Sequence, residues 1–422
     1  MSRLARLRPG LVCAVTISAL SVVSCSAPPQ SEPSLGPASA HTGTLSAAPS
    51  ASGTPASPTP DVGPPASSSS PKPEPATCAE LASKLTLDEQ IGQLLMVGVG
   101  SMALSQSEAD TLADVRAGSA VLLGNSSRGR EHSTQVVTQV REAMASPDGV
   151  RPIVAVDQEG GQVQRLRGDG YTRIPSATAQ ARQSDRTLTR NAAAWGKQLR
   201  QTGIEVDLAP VADVVPAELT RVNAPIGRLD RGYGSSPEVV ADKVTAFARG
   251  MDDAGVVTAV KHFPGLGRVR GNTDFSTHVV DSVTTRKDAG LAGFRAAIRA
   301  DVPMVMISSA YYSKIDADHR AAFSSVVITD LLRGDLGFTG VVISDDLSAA
   351  AMRDVSPGDR AVRFVQAGGD LAIVGDPSQA RATAAGLKAK AKGDKKFARQ
   401  VAGSAARVLA MKADADRASC GD

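Results

Sequence analysis

The sequence predicts a single α/β barrel of the (β/α)8, TIM type, preceded by a signal peptide and a disordered tether, and three observations carry that expectation. Short β-branched apolar runs alternate with amphipathic stretches through the region after Cys78. Eight such runs can be counted, apolar throughout rather than alternating, as parallel strands packed on both faces must be. Several end in a polar cluster, the place where this architecture builds its sites.

In order, the runs are 92–99, 119–123, 152–157, 203–208, 256–262, 303–308, 340–345 and 369–374. Helices between them have readable starts. Ser236-Pro237-Glu238 offers a cap, a proline at the first position and an acidic first turn, followed by Val240, Val244, Phe247 and Met251 on one face. Leu291, Phe294 and Ile298 make a second such face. A doubly wound open sheet shares this local pattern. No shorter repeat is present, and the stretch after the eighth run is too short for another domain.

The ends of the chain read differently. Arg3, Arg6 and Arg8 precede an apolar run at 11–23 that is too short for an ordinary membrane span and suited to a secretion signal. It closes on Val22-Val23-Ser24-Cys25, which resembles a bacterial lipobox, so residues 1–24 are expected to be removed and Cys25 to carry the lipid. Residues 25–77 are rich in Pro, Ser, Ala, Gly and Thr and poor in apolar side chains, a composition that cannot offset the entropy of folding. The barrel is therefore placed at 78–422, expected to be exported and tethered to the outer face of the membrane. Of the four cysteines, Cys78 and Cys420 bracket that region in an oxidising setting, and a disulfide between them is expected.

Hydrophobic content of 42% and a net charge of +3 suit a globular protein and give no sign of a nucleic-acid partner. Aromatic content of 3% argues against an appended binding module built on aromatic platforms, and Trp195 is expected to pack a helix against the barrel. No metal or nucleotide pattern is present, so neither a metal nor a cofactor is expected.

The polar clusters concentrate the chemistry. The third run leads into Asp157-Gln158-Glu159-Gly160-Gly161-Gln162-Val163-Gln164-Arg165, and the fifth into Lys261-His262-Phe263-Pro264-Gly265. The sixth gives Ser308 and Ser309, and the seventh Ser344-Asp345-Asp346-Leu347. Carboxylates at such positions accept hydroxyl donors or attack carbon, while Lys, His and Arg donate to ligand oxygens. Blander roles are open to the same residues. Asp346 can cap the next helix, Arg165 and Arg231 can form surface ion pairs, and Asp157 and Lys261 can neutralise each other.

These segments resemble glycoside hydrolase family 3, and within it the single-domain β-N-acetylhexosaminidases. The matching stretches are VDQEGGQVQRL at 156–166, PIGRLDRGYG at 225–234, KHFPGLG at 261–267 and ISDDLSAAAM at 343–352. The resemblance implies a retaining hydrolase that releases β-linked N-acetylglucosamine from a β-GlcNAc saccharide; the expected location on the outer face of the membrane puts peptidoglycan fragments first among substrates, and a monomer is expected. It implies that Asp345 is the nucleophile forming a covalent glycosyl-enzyme, since a carboxylate stabilises an oxocarbenium-like transition state from the opposite face. Asp157, Arg165, Arg231, Lys261 and His262 match the positions that hold the sugar, Arg231 on the assumption that Leu229-Asp230 are extra residues.

The proton donor departs from the pattern. Family members read roughly KHFPGHG, a few residues, then Asp-Ser-His, whereas this loop reads KHFPGLGRVRGNTDFSTHVVD. Counted without a gap the family's catalytic His falls on Asp274; a four-residue insertion places it on His278. Either side chain can donate, and Glu159 or a substrate group is the remaining option. The altered loop also admits a sugar-binding lipoprotein with weakened or lost activity. A β-glucosidase of the same family, or a Schiff-base aldolase using Lys261, are further alternatives.

Overall fold

The computed structural model describes residues 77–420; the expected signal peptide, Cys25 and nearly all of the tether lie outside them. The eight barrel strands are β1 Leu95–Gly100, β2 Ser119–Leu123, β3 Ile153–Val156, β4 Val206–Asp207, β5 Val257–Phe263, β6 Met304–Ile307, β7 Val341–Ser344 and β8 Ala372–Val374. All neighbours pair in parallel, in chain order. Two junctions at β8 close the ring. Leu95 pairs with Ala372, joining β1 to β8, and β7 meets β8 through the Ile343–Leu371 bridge.

Each expected run contains a strand, with boundaries set by local chemistry. Gly92 and Gln93 finish the helix Leu87–Gln93 instead of starting β1. Gly203 adopts φ 91° as the left-handed cap of the helix Asp185–Thr202, so β4 begins only at Val206. Pro210 lacks an N–H for the ladder, and pairing resumes beyond it in the Val211–Lys261 bridge.

The barrel interior is filled by Met96, Val121, Ile153, Val206, Met304 and Ile343 among others, with Val408 and Met411 of the last helix, Lys395–Asp414, packed into the same cluster. Lys412 of that helix marks the N-terminal end, donating to Gln93 Oε1 (2.6 Å) and to the Gly118 carbonyl (2.7 Å). Outside, the helix Pro237–Asp252 starts as its sequence predicts, with Ser236 accepting from the Val239 N–H, and buries Val240, Val244, Phe247 and Met251. Trp195 is buried on the helix Asp185–Thr202 within the main core. Its ring meets Phe247 at 6.2 Å, so it also joins two neighbouring helices to each other.

Cys78 and Cys420 form a disulfide, their Cα atoms 4.9 Å apart across a sequence separation of 342. It binds the first described helix, Cys78–Lys84, to the segment that follows the last one. Because β1 and β8 are neighbours, both ends of the described residues reach the same side of the barrel.

Candidate active site

The C-terminal ends of the strands surround a cavity of ≈ 440 Å³, within the range of small-molecule sites. Its walls include Asp157, Arg165, Arg231, Lys261, His262, Asp274 and Asp345. These are all but one of the expected site residues of the barrel; His278 is the exception.

Asp157 follows β3, and the chain then turns back through a small hairpin, Gln158–Gly160 against Val163–Gln164. Gly160 and Gly161 make the reversal at φ 102° and 56°, and a Cβ at Gly160 would lie 2.3 Å from the Pro175 carbonyl oxygen. The Gln158 side chain clamps the hairpin by accepting from the Leu166 N–H (3.0 Å) and donating to its carbonyl (2.9 Å). Arg165 is thereby carried back to the mouth beside Asp157.

A chain of alternating charges runs beneath the ligand space. Lys261 Nζ lies 2.6 Å from Asp157 Oδ1 and 2.7 Å from Glu159 Oε1, and Arg231 grips both oxygens of Glu159 at 2.8 and 2.7 Å. Burial works against the charge on Glu159, yet Arg231 and Lys261 hold its carboxyl well below the usual carboxylate range. Burial likewise opposes the Lys261 charge, and Asp157 and Glu159 outweigh it, raising the ammonium pKa. Mutual neutralisation and ligand binding are therefore compatible: the pairs fix Lys261 and Arg231 while both still face the cavity. Glu159 does not line it, and its ionised, doubly paired carboxylate has no proton to give. That removes it as a donor.

On β5, Lys261 and His262 both line the cavity although neighbours on a strand normally point to opposite faces. The pairing with β6 slips between Val260 and Phe263, which breaks the alternation. His262 Nδ1 lies 2.8 Å from Asp213 Oδ2.

Asp345 follows β7, its N–H donating to the Ile307 carbonyl (3.0 Å) and its Oδ1 accepting from the Asp346 N–H (2.9 Å). Burial pushes its carboxyl up to about 6; His262 pulls it down, and the charge of Asp274 pushes it up again. Asp346 accepts instead from the N–H groups of Ser348 (2.7 Å) and Gly375 (2.8 Å), bracing the ends of β7 and β8.

Asp274 sits on a loop docked against the segment after β7, where Ala350 N–H meets the Asp274 carbonyl (3.3 Å) and Ala351 N–H that of Thr273 (3.1 Å). His278 is exposed and lies outside the cavity wall, its ring 5.0 Å from that of Tyr311. Of the two donor positions, only Asp274 is brought to Asp345.

Sequence reasoning misses two buried carboxylates that support this site. Asp213 orients His262, and Asp207 lies at the end of β4 with Oδ1 accepting from the Gln158 N–H (2.9 Å). Both belong to the stretch around Pro210, where the broken strand run conceals a polar strand end. The available signal was the pair of aspartates flanking that proline.

A parallel barrel whose mouth presents two neighbouring carboxylates opposite Lys, His and Arg donors defines a site for a neutral, hydroxyl-rich ligand. The description "Glycosyl hydrolase family 3 N terminal domain" matches residues 86–411, and the chain belongs to this family. It is similar to the β-N-acetylhexosaminidase of Beutenbergia cavernae DSM 12333, a solved structure with 45% identity and a TM-score of 0.77, over 78% of this chain and 99% of that one. A β-hexosaminidase of Stenotrophomonas maltophilia (strain K279a) is 32% identical over 293 residues, 67% of this chain and 84% of the relative. A family 3 β-N-acetylglucosaminidase from Paenibacillus sp. str. FPU-7 is 29% identical with a TM-score of 0.70, over 79% of this chain and 63% of that one.

Proposed function

We propose that this protein is a retaining glycoside hydrolase that releases β-linked N-acetylglucosamine, with Asp345 as nucleophile and Asp274 as acid/base. The observation that carries this reading is that both carboxylates line the cavity that also presents Asp157, Lys261 and His262. Asp157 has one oxygen bound to Lys261 and another left to accept a sugar hydroxyl. Lys261, His262 and Arg165 supply donors to the ring substituents.

In the first half-reaction an Asp345 oxygen bonds to C1 as the C1–O bond to the aglycone breaks, and the leaving oxygen takes the Asp274 proton. In the second, water bonds to C1 and gives a proton back to Asp274, and the Asp345 carboxylate departs. Configuration is retained through two inversions.

A slow 5-fluoro N-acetylglucosaminyl fluoride tests the assignment. Mass mapping should find the glycosyl group on the peptide holding Asp345, and Asp345→Ala should lower turnover at least about a thousandfold with the fold intact. Label elsewhere, or an active variant, overturns it.

The lipobox-like segment supports export and anchoring through Cys25, which places wall-derived fragments first among accessible substrates. Cys25→Ala should release the protein from membranes without altering specific activity; retention through detergent-free washing contradicts the anchor.

A further inference from the structure

Phe275 is 83% exposed, whereas Phe263, Phe294 and Phe364 are fully buried. It lines the same cavity as Asp274 and Asp345, with Pro225 and Leu229 among the other apolar groups of the wall. The backbone that carries it is held in place. Phe275 N–H donates to the Asn272 carbonyl (3.1 Å), Asp274 N–H to Asn272 Oδ1 (2.9 Å), and the preceding Thr273, only 2% exposed, is bonded to Ala351. An apolar ring kept in water on a fixed backbone is ready to be covered by a ligand, because little order has to be imposed on binding.

Its position says which part of the ligand. A proton donor must stand at the glycosidic oxygen, the boundary between the sugar that is released and the group that leaves. Phe275 follows Asp274 directly and reaches the solvent side, while the ring-binding residues Asp157, Lys261 and His262 lie at the strand ends below. We propose that Phe275 is the platform of the leaving-group subsite, stacking on the apolar C–H face of a pyranosyl aglycone. The enzyme is thereby selective for saccharides over glycosides with small leaving groups. This inference rests on the reading of Asp345 and Asp274 given above.

Two substrates separate its failure from the failure of that reading: GlcNAc-β-1,4-GlcNAc, whose aglycone is a pyranose, and N-acetyl-β-glucosaminyl fluoride, whose leaving group is one atom. The readout is the ratio of kcat/KM for the disaccharide to that for the fluoride. Phe275→Ala should lower it roughly five- to tenfold, the size of one aromatic contact, chiefly through KM. Phe275→Tyr should keep the ratio near that of the parent, and Phe275→Leu should fall between. An unchanged ratio in Phe275→Ala, or an equal loss on both substrates, overturns the proposal. Fluoride turnover that survives Asp345→Ala would instead overturn the underlying assignment.

Discussion

His262 Nδ1 and Asp213 Oδ2 are 2.8 Å apart, while Asp213 Oδ1 accepts from the backbone N–H groups of His262 (3.2 Å) and Leu266 (2.7 Å). An acceptor at Nδ1 places the ring proton there and leaves Nε2 for the cavity. Asp213 itself is fully buried and touches no part of the ligand space.

Asp213→Ala should therefore act through its neighbour. Loss of the ring orientation is expected to lower kcat/KM about a hundredfold. Each buried N–H left unpaired should cost about 1–3 kcal/mol of stability. Asp213→Asn keeps an acceptor for the backbone, so its unfolding midpoint should recover while kcat/KM stays low. Parent-like kcat/KM in the Asn variant would show that the ring is oriented by something else.

As the proposed nucleophile, Asp345 should set the acidic limb of the pH profile. Burial raises its carboxyl to about 6, so the nucleophile is protonated and silent below that pH and ionised above it. With an activated aryl glycoside, kcat/KM should fall about tenfold per pH unit below the limb. Asp274 contributes to the upward push, so Asp274→Asn should move the limb to lower pH. A limb that stays in place in the variant contradicts the electrostatic contact between the two carboxylates.

The barrel was legible in the sequence because eight apolar runs alternating with amphipathic stretches report burial directly, as at β5 and β6, whose boundaries differ from the expected ones by one residue. It was least legible at β4, where Gly203 ends a helix and Pro210 interrupts the ladder, and both unforeseen aspartates lie in that stretch. Asp157, Lys261 and Asp345 were readable as polar groups ending apolar strands. The pairing of Glu159 with Arg231 was not, because two loops 72 residues apart meet only in the fold. Which member of the donor loop faces Asp345 was also beyond the sequence, since it depends on the docking of Thr273 and Asp274 against Ala351 and Ala350.

Asp207 should make stability depend on pH. Burial pushes its carboxyl up to about 8, opposed by the Gln158 N–H and by Lys261, and Oδ2 has no partner. The raised value means that the folded state holds a proton that the unfolded chain releases near its ordinary pKa of about 4. This contribution is fully present below pH about 4 and is lost as pH rises toward 8, at about 1.4 kcal/mol per unit. Asp207→Asn keeps the oxygen that Gln158 uses and cannot ionise, so denaturant unfolding between pH 5 and 8 should show a shallower loss of stability than in the parent. Equal slopes in the two proteins would mean that Asp207 does not carry that proton.

The donor loop yields the sharpest test, because Asp274 lines the cavity and His278 rests on Tyr311 outside it. A leaving group that is already acidic needs little protonation, so removing the true acid slows natural linkages far more than activated aryl glycosides. Asp274→Ala should show that pattern, whereas His278→Ala should stay close to the parent on both substrates. The second half-reaction also loses its base, and azide, which needs none, should restore turnover of the activated substrate and give the β-glycosyl azide. Retention of β configuration in that product follows from attack on a glycosyl-Asp345 intermediate. If His278→Ala shows the leaving-group dependence and azide rescue and Asp274→Ala does not, the loop must rearrange to bring the imidazole to the glycosidic oxygen, and the carboxylate assignment is wrong. Near-normal activity in both variants removes the loop from the chemistry altogether, and because Glu159 is locked between Lys261 and Arg231, the proton would then have to come from the substrate or from water.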